Sequence, residues 1–228
     1  AWDKDNPKNI SVLEESVSLF QNHLMKSKRI FPAVFLGLLL FSCGESKVEP
    51  VQEAIAFQQE LNEQFTDSEE SPLTEEDRLT FKNLEFFPID TSFRVSARLE
   101  FHQDSKPFAM QTTTDRLPIY KLYATARFQL KGKECSLEIY QNQDLVQDPE
   151  YREYLFLPFT DRTNGNSSYG GGRYIDLTIP EGEEIIIDFN QSYNPYCAYN
   201  SEFSCPIPPR ANNLDLEIRA GVKAYGDH

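Results

Sequence analysis

The sequence has few basic side chains relative to acidic ones. Its 228 residues include 22 Lys and Arg against 36 Asp and Glu, which gives a formal net charge of −14 at pH 7. A surface with this charge repels the phosphates of nucleic acids and of anionic lipid headgroups. We therefore expect no nucleic-acid partner, and any contact with a membrane has to come from apolar groups.

Histidine is also scarce, with three residues in the whole chain. A Ser-His-Asp triad would have to use His102, which follows a predicted strand outside the motif-rich regions, and no Gly-x-Ser-x-Gly elbow occurs. A serine hydrolase and a histidine-ligated metal centre are therefore disfavoured. The sequence predicts no metal and no cofactor, whereas chemistry that uses carboxylates alone, as in glycosidases, stays open.

Long apolar runs are absent as well. The stretch from Ile30 to Phe41 is too short to span a bilayer, which needs roughly 20 residues. It follows the basic segment 25–29 and is followed by Cys43, the layout of a secretory signal that ends at the lipidated cysteine of a bacterial lipoprotein. We predict lipidation of Cys43 and a membrane-anchored location in the bacterial cell envelope, facing the periplasm or the cell surface.

This prediction also divides the chain. Residues 25–42 form the signal peptide, and residues 1–24 are expected to be an upstream extension that precedes the true start. Residues 43–50 are predicted to be a tether, and residues 51–228 a single β-rich domain. The anchoring partner is the membrane itself, reached through acyl chains that contribute about 0.8 kcal/mol per buried CH₂.

The composition favours β-structure. Aromatic residues make up 13% of the chain, and 14 Pro and 10 Gly punctuate it. This pattern is typical of a β-rich, turn-rich domain and not of a helical bundle. We predict a mainly β (α+β) fold, an antiparallel β-sandwich or partly closed barrel with one or two N-terminal helices.

Periodicity predicts the individual elements. Helical spacing indicates a helix over about 51–65, and Thr74-Glu-Glu-Asp77 resembles a capping box that opens a short helix to about Thr80. The tripeptide Lys131-Gly132-Lys133 predicts a hairpin turn. Apolar patterning predicts strands at Phe93–Phe101, Phe108–Thr112, Ile119–Leu130, Glu134–Tyr140, Tyr154–Phe159, Arg173–Ile179, Glu184–Phe189 and Leu214–Ala220.

Two long loops, 160–172 and 190–213, are rich in Gly, Asn, Tyr and Pro, and such loops often carry function. The motifs in and around them are Asp161-Arg-Thr-Asn-Gly, Tyr169-Gly-Gly-Gly-Arg-Tyr-Ile-Asp176, Asp188-Phe-Asn190, Tyr193-Asn-Pro-Tyr-Cys-Ala-Tyr-Asn200, Cys205-Pro-Ile-Pro-Pro209, Asn213 and Ala220-Gly221. Together with Ser71-Pro72-Leu73 and Leu84-Glu-Phe-Phe-Pro88, they resemble the bacterial family catalogued as domain of unknown function 1684. The resemblance covers roughly residues 50–223 and implies the domain but no activity. Val222 stands where the resemblance leads us to expect an acidic residue.

Polar residues of these loops and of the neighbouring strands form the candidate site. On the strand that begins at residue 173, Arg173 and Ile175 share one face, and Tyr174 and Asp176 share the other. We predict that loops 160–213 form a polar pocket for a small molecule or glycan. Its candidate residues are Asp161, Arg173, Asp176, Asp188, Asn190, Tyr193, Asn194, Tyr199 and Asn200. The structural alternative is a network in which Arg173 pairs with Asp188 or Asp161 and locks the loops together.

Two cysteines lie in the second loop, with seven residues between Cys197 and Cys205. In an oxidising periplasm a disulfide between them is the default expectation. Two buried free thiols are the first alternative, and use in a metal or redox site is the second. The only histidines after Cys43 are His102 and His228, neither of which lies in this loop.

Two functions compete at this point. The first is a lipid-anchored binding or accessory module with the polar pocket just described. The second is a hydrolase of envelope or imported substrates that uses Asp161, Asp176 or Asp188, with Arg173 holding an anion. The hydrolase requires perturbed carboxylates in one cleft. A third possibility is that the motifs only build the fold.

Overall fold

The computed structural model describes residues 49–226. The predicted signal peptide, the upstream extension and Cys43 lie outside the described residues. No helix of the described segment combines the length and the apolar character needed to cross a membrane.

Both predicted helices are present. Helix α1 runs over Pro50–Thr66, with Pro50 in the first turn, where a missing N–H is tolerated. Helix α2 runs over Glu75–Thr80. The Thr74 hydroxyl accepts the backbone N–H of Asp77 at 3.1 Å and donates to the Asp77 carboxylate at 2.7 Å, so the capping box works with Asp in place of Glu.

The sheet has seven strands and every pairing in it is antiparallel. The strands are β1 (Arg94–Phe101), β2 (Phe108–Ala109), β3 (Ile119–Leu130), β4 (Lys133–Asn142), β5 (Tyr154–Phe159), β6 (Arg173–Thr178) and β7 (Glu184–Asp188). Their order across the sheet is β6-β5-β4-β3-β1-β7, with β2 paired to β3. The sheet curls into a half-barrel, which confirms the predicted fold class.

The predicted hairpin turn is also confirmed. Lys131 and Gly132 join β3 to β4 and have φ of 51° and 78°. Positive φ at both residues is required by the two-residue turn whose twist matches that of the strands.

Two strand predictions were wrong. The strand predicted at Phe108–Thr112 is only two residues long, and the segment Leu214–Ala220 belongs to no strand. That segment keeps its alternation of buried and exposed residues but finds its hydrogen bonds elsewhere, as described below.

Alternation along the strands gives the sheet two buried faces. One face carries the aliphatic core, which includes Ile139, Leu155, Leu157, Ile175 and Ile187. The other carries the aromatic core, which includes Tyr120, Tyr140, Tyr154, Phe156, Tyr174, Tyr193, Tyr196 and Tyr199. Each core is a separate hydrophobic cluster, so the sheet is covered on both sides.

Helix α1 and the segment that follows β7 contribute to the aromatic core. Phe65 of α1 packs edge-on against Tyr199, with ring centroids 4.6 Å apart, and against Tyr196 at 6.4 Å. Short 3₁₀ turns at Phe189–Gln191 and Tyr196–Ala198 bend this segment across the sheet. The predicted loop 190–213 is therefore a structured wall of the aromatic core.

Candidate functional site

Arg173 begins β6 on the aliphatic side of the sheet and is fully buried. Its Nη2 atom donates to the Asp161 carboxylate and to the Ile218 carbonyl, both at 2.8 Å. Its Nη1 atom donates to the carbonyls of Ala220 at 2.5 Å and Val222 at 3.3 Å. The protein itself thus occupies the guanidinium, which has no free edge for a ligand.

Asp161 completes this network. Its second carboxylate oxygen accepts the backbone N–H groups of Thr163 at 2.8 Å and of Ile218 at 3.1 Å. Burial lowers the pKa of the Arg173 guanidinium, and the adjacent Asp161 carboxylate opposes that shift. A buried ion pair needs this density of hydrogen bonds to offset the loss of hydration.

The same contacts explain why residues 214–220 form no strand. The carbonyls of Ile218 and Ala220 accept from the Arg173 side chain, and the Ile218 N–H donates to a carboxylate, so these groups do not pair with a neighbouring strand. Sequence alternation reports burial but does not say whether the partner is a backbone or a side chain.

Asp188 lies elsewhere, at the end of β7. One carboxylate oxygen accepts from Arg94 at 3.1 Å, and Arg94 also pairs with Glu53 of α1 at 2.6 Å. The other accepts from the backbone N–H and side-chain amide of Asn190, at 3.0 and 2.8 Å. Asn190 in turn exchanges two hydrogen bonds of 3.0 Å with the backbone of Asp90. The predicted pairing of Arg173 is therefore realised with Asp161 and not with Asp188.

Asp176 lies on the opposite face of β6 from Arg173, as alternation predicts. One carboxylate oxygen accepts from the hydroxyls of Tyr154 and Tyr193, both at 2.7 Å. The other, Oδ2, is buried and has no hydrogen-bonding partner within the described segment. Burial raises the pKa of Asp176 to about 7, although the two tyrosine hydrogen bonds lower it.

The remaining predicted residues hold the wall after β7. Asn194 donates to the Tyr199 hydroxyl at 3.2 Å and to the carbonyl of Lys223 at 2.9 Å. The Asn200 side chain accepts the backbone N–H of Glu202 at 3.0 Å and closes a turn. These side chains hold the backbone of this wall in place. Within the described segment, none of them makes a hydrogen bond to Arg173 or Asp161.

Cys197 and Cys205 are free thiols in this structure, so the expected disulfide is not formed there. The two residues are nevertheless adjacent, because the backbone N–H of Cys197 donates to the Cys205 sulfur at 3.1 Å. The hydrogen bond between the thiols lowers the pKa of Cys197 and raises that of Cys205. A disulfide in the oxidised protein stays a prediction.

A cleft opens on the aromatic face of the sheet, and the predicted site residue Tyr193 lines it. It is small, with a cavity volume of about 40 Å³. Six aromatic rings line it: Tyr120, Phe156, Tyr174, Tyr193, Tyr196 and Phe203. Strands β3, β5 and β6 supply the first three rings, and the wall after β7 supplies the others.

Two nitrogen-bearing side chains give the cleft its polarity, Arg116 and Asn142. Arg116 donates to the Ser204 hydroxyl at 3.2 Å through Nε and to the Ser204 carbonyl at 2.8 Å through Nη2. Asn142 is 1% exposed, and its Nδ2 atom lies near the Tyr120 hydroxyl without making a hydrogen bond of normal geometry. Burial raises the pKa of Tyr120, and Asn142 opposes that shift.

Sequence reasoning missed these residues because they precede or end strands outside the motif-rich loops. Asn142 ends β4, and Arg116 lies in the segment before β3. The available signal was Asn142 itself, a polar residue at the end of a strand. Among residues 49–226, no three side chains of His, Cys, Asp or Glu are grouped so as to hold a metal ion.

Comparison with known proteins identifies a protein family and similar solved structures. The family model described as protein of unknown function, DUF1684, matches residues 79–223. The solution NMR structure of an uncharacterized protein from Haloarcula marismortui is similar, with a TM-score of 0.62 and 34% sequence identity over 78% of this chain and 96% of that chain. No curated protein matches this chain at a significant level.

Proposed function

This chain belongs to the DUF1684 family of proteins of unknown function, and we propose that it is a binding module that holds a small organic molecule in the cleft on its aromatic face. The observation that carries the proposal is the lining of the cleft, six aromatic rings with Arg116 and Asn142. Ligand pockets are typically concave and largely apolar, and carry a few polar groups that orient the ligand.

The motif-rich loop contributes to this proposal as a wall. Tyr193, Tyr196 and Phe203 face the cleft, and Asn194 ties the same segment to Lys223. A wall fixed in this way keeps the rings in place before a ligand arrives, which lowers the entropic cost of binding. The Arg173–Asp161 pair supports the other face of the sheet and has no part in the cleft.

A carboxylate-dependent hydrolase is the weaker candidate. Asp176 has the raised pKa that suits a general acid, but its hydrogen-bonding oxygen is engaged by two tyrosines and Oδ2 is covered. Asp161 pairs with Arg173, and Asp188 pairs with Arg94. With Asp161 and Asp188 each paired to a different arginine and Asp176 covered, no two of these carboxylates are poised to act on one substrate, and the arrangement favours binding over turnover.

The cleft proposal is tested by screening the purified full chain against small aromatic and glycan-like molecules, with the melting temperature as first readout. Phe203→Ala removes a ring of the cleft. Phe81→Ala is the matched control, since Phe81 is equally half-buried and packs on Phe65 at 5.8 Å outside the cleft. We expect Phe203→Ala to weaken binding several-fold while Phe81→Ala leaves it unchanged. Equal effects of the two variants, or no binding by any molecule, would refute the proposal.

We also propose that the module is displayed in the bacterial envelope on a lipid attached to Cys43. The support is the sequence layout before residue 49, a basic start, a short apolar stretch and then cysteine. The test is expression with a labelled fatty acid. Label and membrane association that persist after Cys43→Ser would rule out this anchor.

A further inference from the structure

Arg116 is held in a fixed orientation at the cleft by a relay of short side chains. Its Nε and Nη2 atoms both donate to Ser204. The Ser204 hydroxyl is in turn 2.5 Å from the Thr114 hydroxyl and 3.1 Å from that of Thr112. These contacts fix the plane of the guanidinium and leave Nη1 without a hydrogen-bonding partner among residues 49–226.

The charge of Arg116 is also uncompensated. Within the described segment no carboxylate lies within salt-bridge distance of it, although the chain carries a net charge of −14. Six other arginines of residues 49–226 pair with acidic residues, namely Arg94, Arg98, Arg127, Arg162, Arg173 and Arg219, whereas Arg78, Arg152 and Arg210 form no ion pair within this segment. Unlike these last three, Arg116 lines the cleft beside aromatic rings, where it can accept an anion from outside the chain.

Asn142 supplies a second donor to the same cleft. Its carbonyl oxygen accepts the backbone N–H groups of Asp144 at 2.9 Å and Leu145 at 3.2 Å, and this fixes which end of the amide is the NH₂ group. The buried Nδ2 atom therefore has a set orientation and makes no hydrogen bond. The neighbouring acceptor is the Tyr120 hydroxyl, to which Nδ2 makes no hydrogen bond of normal geometry, so a ligand oxygen would offer it a better partner.

We infer that the cleft selects organic monocarboxylates, with the carboxylate held by Arg116 and the Nδ2 atom of Asn142 within reach of a ligand oxygen, and with an aromatic or apolar body against the tyrosine rings. This inference rests on the proposed function and names its ligand class. Guanidinium and carboxylate match in shape and charge, whereas a ligand ammonium would be repelled by Arg116. The Asp176 carboxyl, hydrogen-bonded to the cleft residue Tyr193, disfavours dianions such as phosphate monoesters.

A matched ligand series tests the inference on the full chain. 3-Phenylpropanoate, its amide, the corresponding alcohol and amine, and phenyl phosphate share one aromatic ring and differ at the polar end. We expect the carboxylate to bind at least about tenfold more tightly than the amide, by calorimetry or NMR titration, because only the carboxylate forms an ion pair with the guanidinium and offers it two equivalent acceptor oxygens. The preference should shrink as salt is added.

Variants assign the preference to a residue. Arg116→Gln should abolish the preference for carboxylate over amide, and Arg116→Lys should retain part of it, because a lysine keeps the charge but loses the fork that binds Ser204. Arg152→Gln is the control, since Arg152 is exposed, does not line the cleft and carries the same charge. Melting temperatures and unperturbed spectra of both Arg116 variants establish that they fold.

The outcomes separate this inference from the proposed function. If the amide or alcohol binds as tightly as the carboxylate, or if Arg116→Gln keeps the preference, the carboxylate inference fails while an effect of Phe203→Ala still supports the cleft. If no member of the series binds, and the broader screen also finds no ligand that responds to Phe203→Ala, the proposed function fails with it. Loss of preference in Arg152→Gln would show a general charge effect and would also overturn the inference.

Discussion

Each of the two faces of the sheet surrounds an aspartate, but the hydrogen-bonding partners of the two carboxylates differ. Asp161, on the aliphatic side, has an arginine and two backbone N–H groups on its oxygens. Asp176, on the aromatic side, has two phenolic hydroxyls on one oxygen and nothing on the other within residues 49–226. A charge is stable in the first setting and costly in the second, and this difference separates scaffold from candidate site.

The aliphatic side is closed around its ion pair. Arg173 contacts the carbonyls of residues 218, 220 and 222, and its guanidinium lies 5.3 Å from the ring centroid of Phe159. This buried pair organises a C-terminal segment that has no strand pairing of its own. Buried polar atoms without hydrogen bonds occur on both sides, Nε of Arg173 on the aliphatic side and atoms of Asn142 and Asp176 on the aromatic side, but the aromatic side also has an open cleft, which Asn142 lines.

The largest effect that this contrast predicts is on the ion pair. Arg173→Met should lower the free energy of unfolding by about 3–5 kcal/mol, because it leaves the Asp161 carboxylate buried without a cation. Arg127→Met is the control, since Arg127 and Glu100 form an exposed pair at 2.6 Å and its loss should hardly change the free energy of unfolding. Urea denaturation of both variants measures the difference.

A double variant sharpens this prediction. Arg173→Met with Asp161→Asn removes both charges, so the carboxylate is no longer stranded and part of the lost stability should return. If Arg173→Met costs no more than Arg127→Met, the aliphatic side does not depend on its ion pair and the contrast between the two faces is lost.

The next effect concerns Gly221, where the chain passes from one core to the other. Ala220 belongs to the aliphatic core and Val222 to the aromatic core. Gly221 has φ of +74°, and a Cβ there would lie 2.1 Å from the Ser192 hydroxyl and 2.6 Å from its carbonyl. Gly221→Ala should therefore cost roughly 3 kcal/mol, the sum of backbone strain and overlap.

Gly165→Ala is the matched control, because Gly165 has the same φ of +74° and a Cβ there would meet nothing within 4 Å. It should cost about 1 kcal/mol, the backbone contribution alone. Thermal unfolding of the two variants separates overlap from strain. Equal losses would mean that the passage at Gly221 is not tightly packed between the two cores.

Much of this arrangement follows from the sequence. Alternation places Arg173 and Asp176 on opposite faces of β6, and the capping box, the hairpin turn and most strands are where local pattern predicts them. Residues 214–220 show the limit of such reasoning, because their alternation is real but only Leu214 and Leu216 bond to backbone, at residues 160 and 162, whereas Ile218 and Ala220 bond to the side chains of Arg173 and Asp161. A pattern records burial, and it does not identify the partner.

The cleft was harder to predict for the same reason. Arg116 and Asn142 have no distinguishing local motif, and their significance comes from the wall after β7, which brings Ser204 and three aromatic rings opposite them. The sequence indicated that loop 190–213 matters and which residues hold it. It did not indicate which part of the sheet the loop would face, because this depends on contacts between residues about 90 positions apart.

The smallest predicted effect is the pH dependence that Asp176 gives to the fold. Its pKa is about 7 in the folded protein against an ordinary value of 3.8, so between these pH values the folded state binds more protons than the unfolded state. The contribution of this group to the free energy of unfolding is therefore largest below about pH 4 and decreases as the pH rises through about 7. Asp176→Asn, which cannot ionise, should be more stable than the parent at pH 8, by on the order of 1–3 kcal/mol, and nearly equal to it at pH 5.

Two controls decide what such a result means for the comparison of the faces. Asp104→Asn removes the same charge from an exposed position and should show no such crossover. Tyr193→Phe removes one hydroxyl that stabilises the ionised carboxylate, so it should destabilise the protein more at pH 8 than at pH 5. If instead Asp176→Asn is destabilising at pH 8 and harmless at pH 5, the carboxylate is stabilised in its ionised form, as Asp161 is. The aromatic face would then hold a satisfied charge like the aliphatic one, and the state of its aspartate could no longer be used to distinguish the binding side from the scaffold.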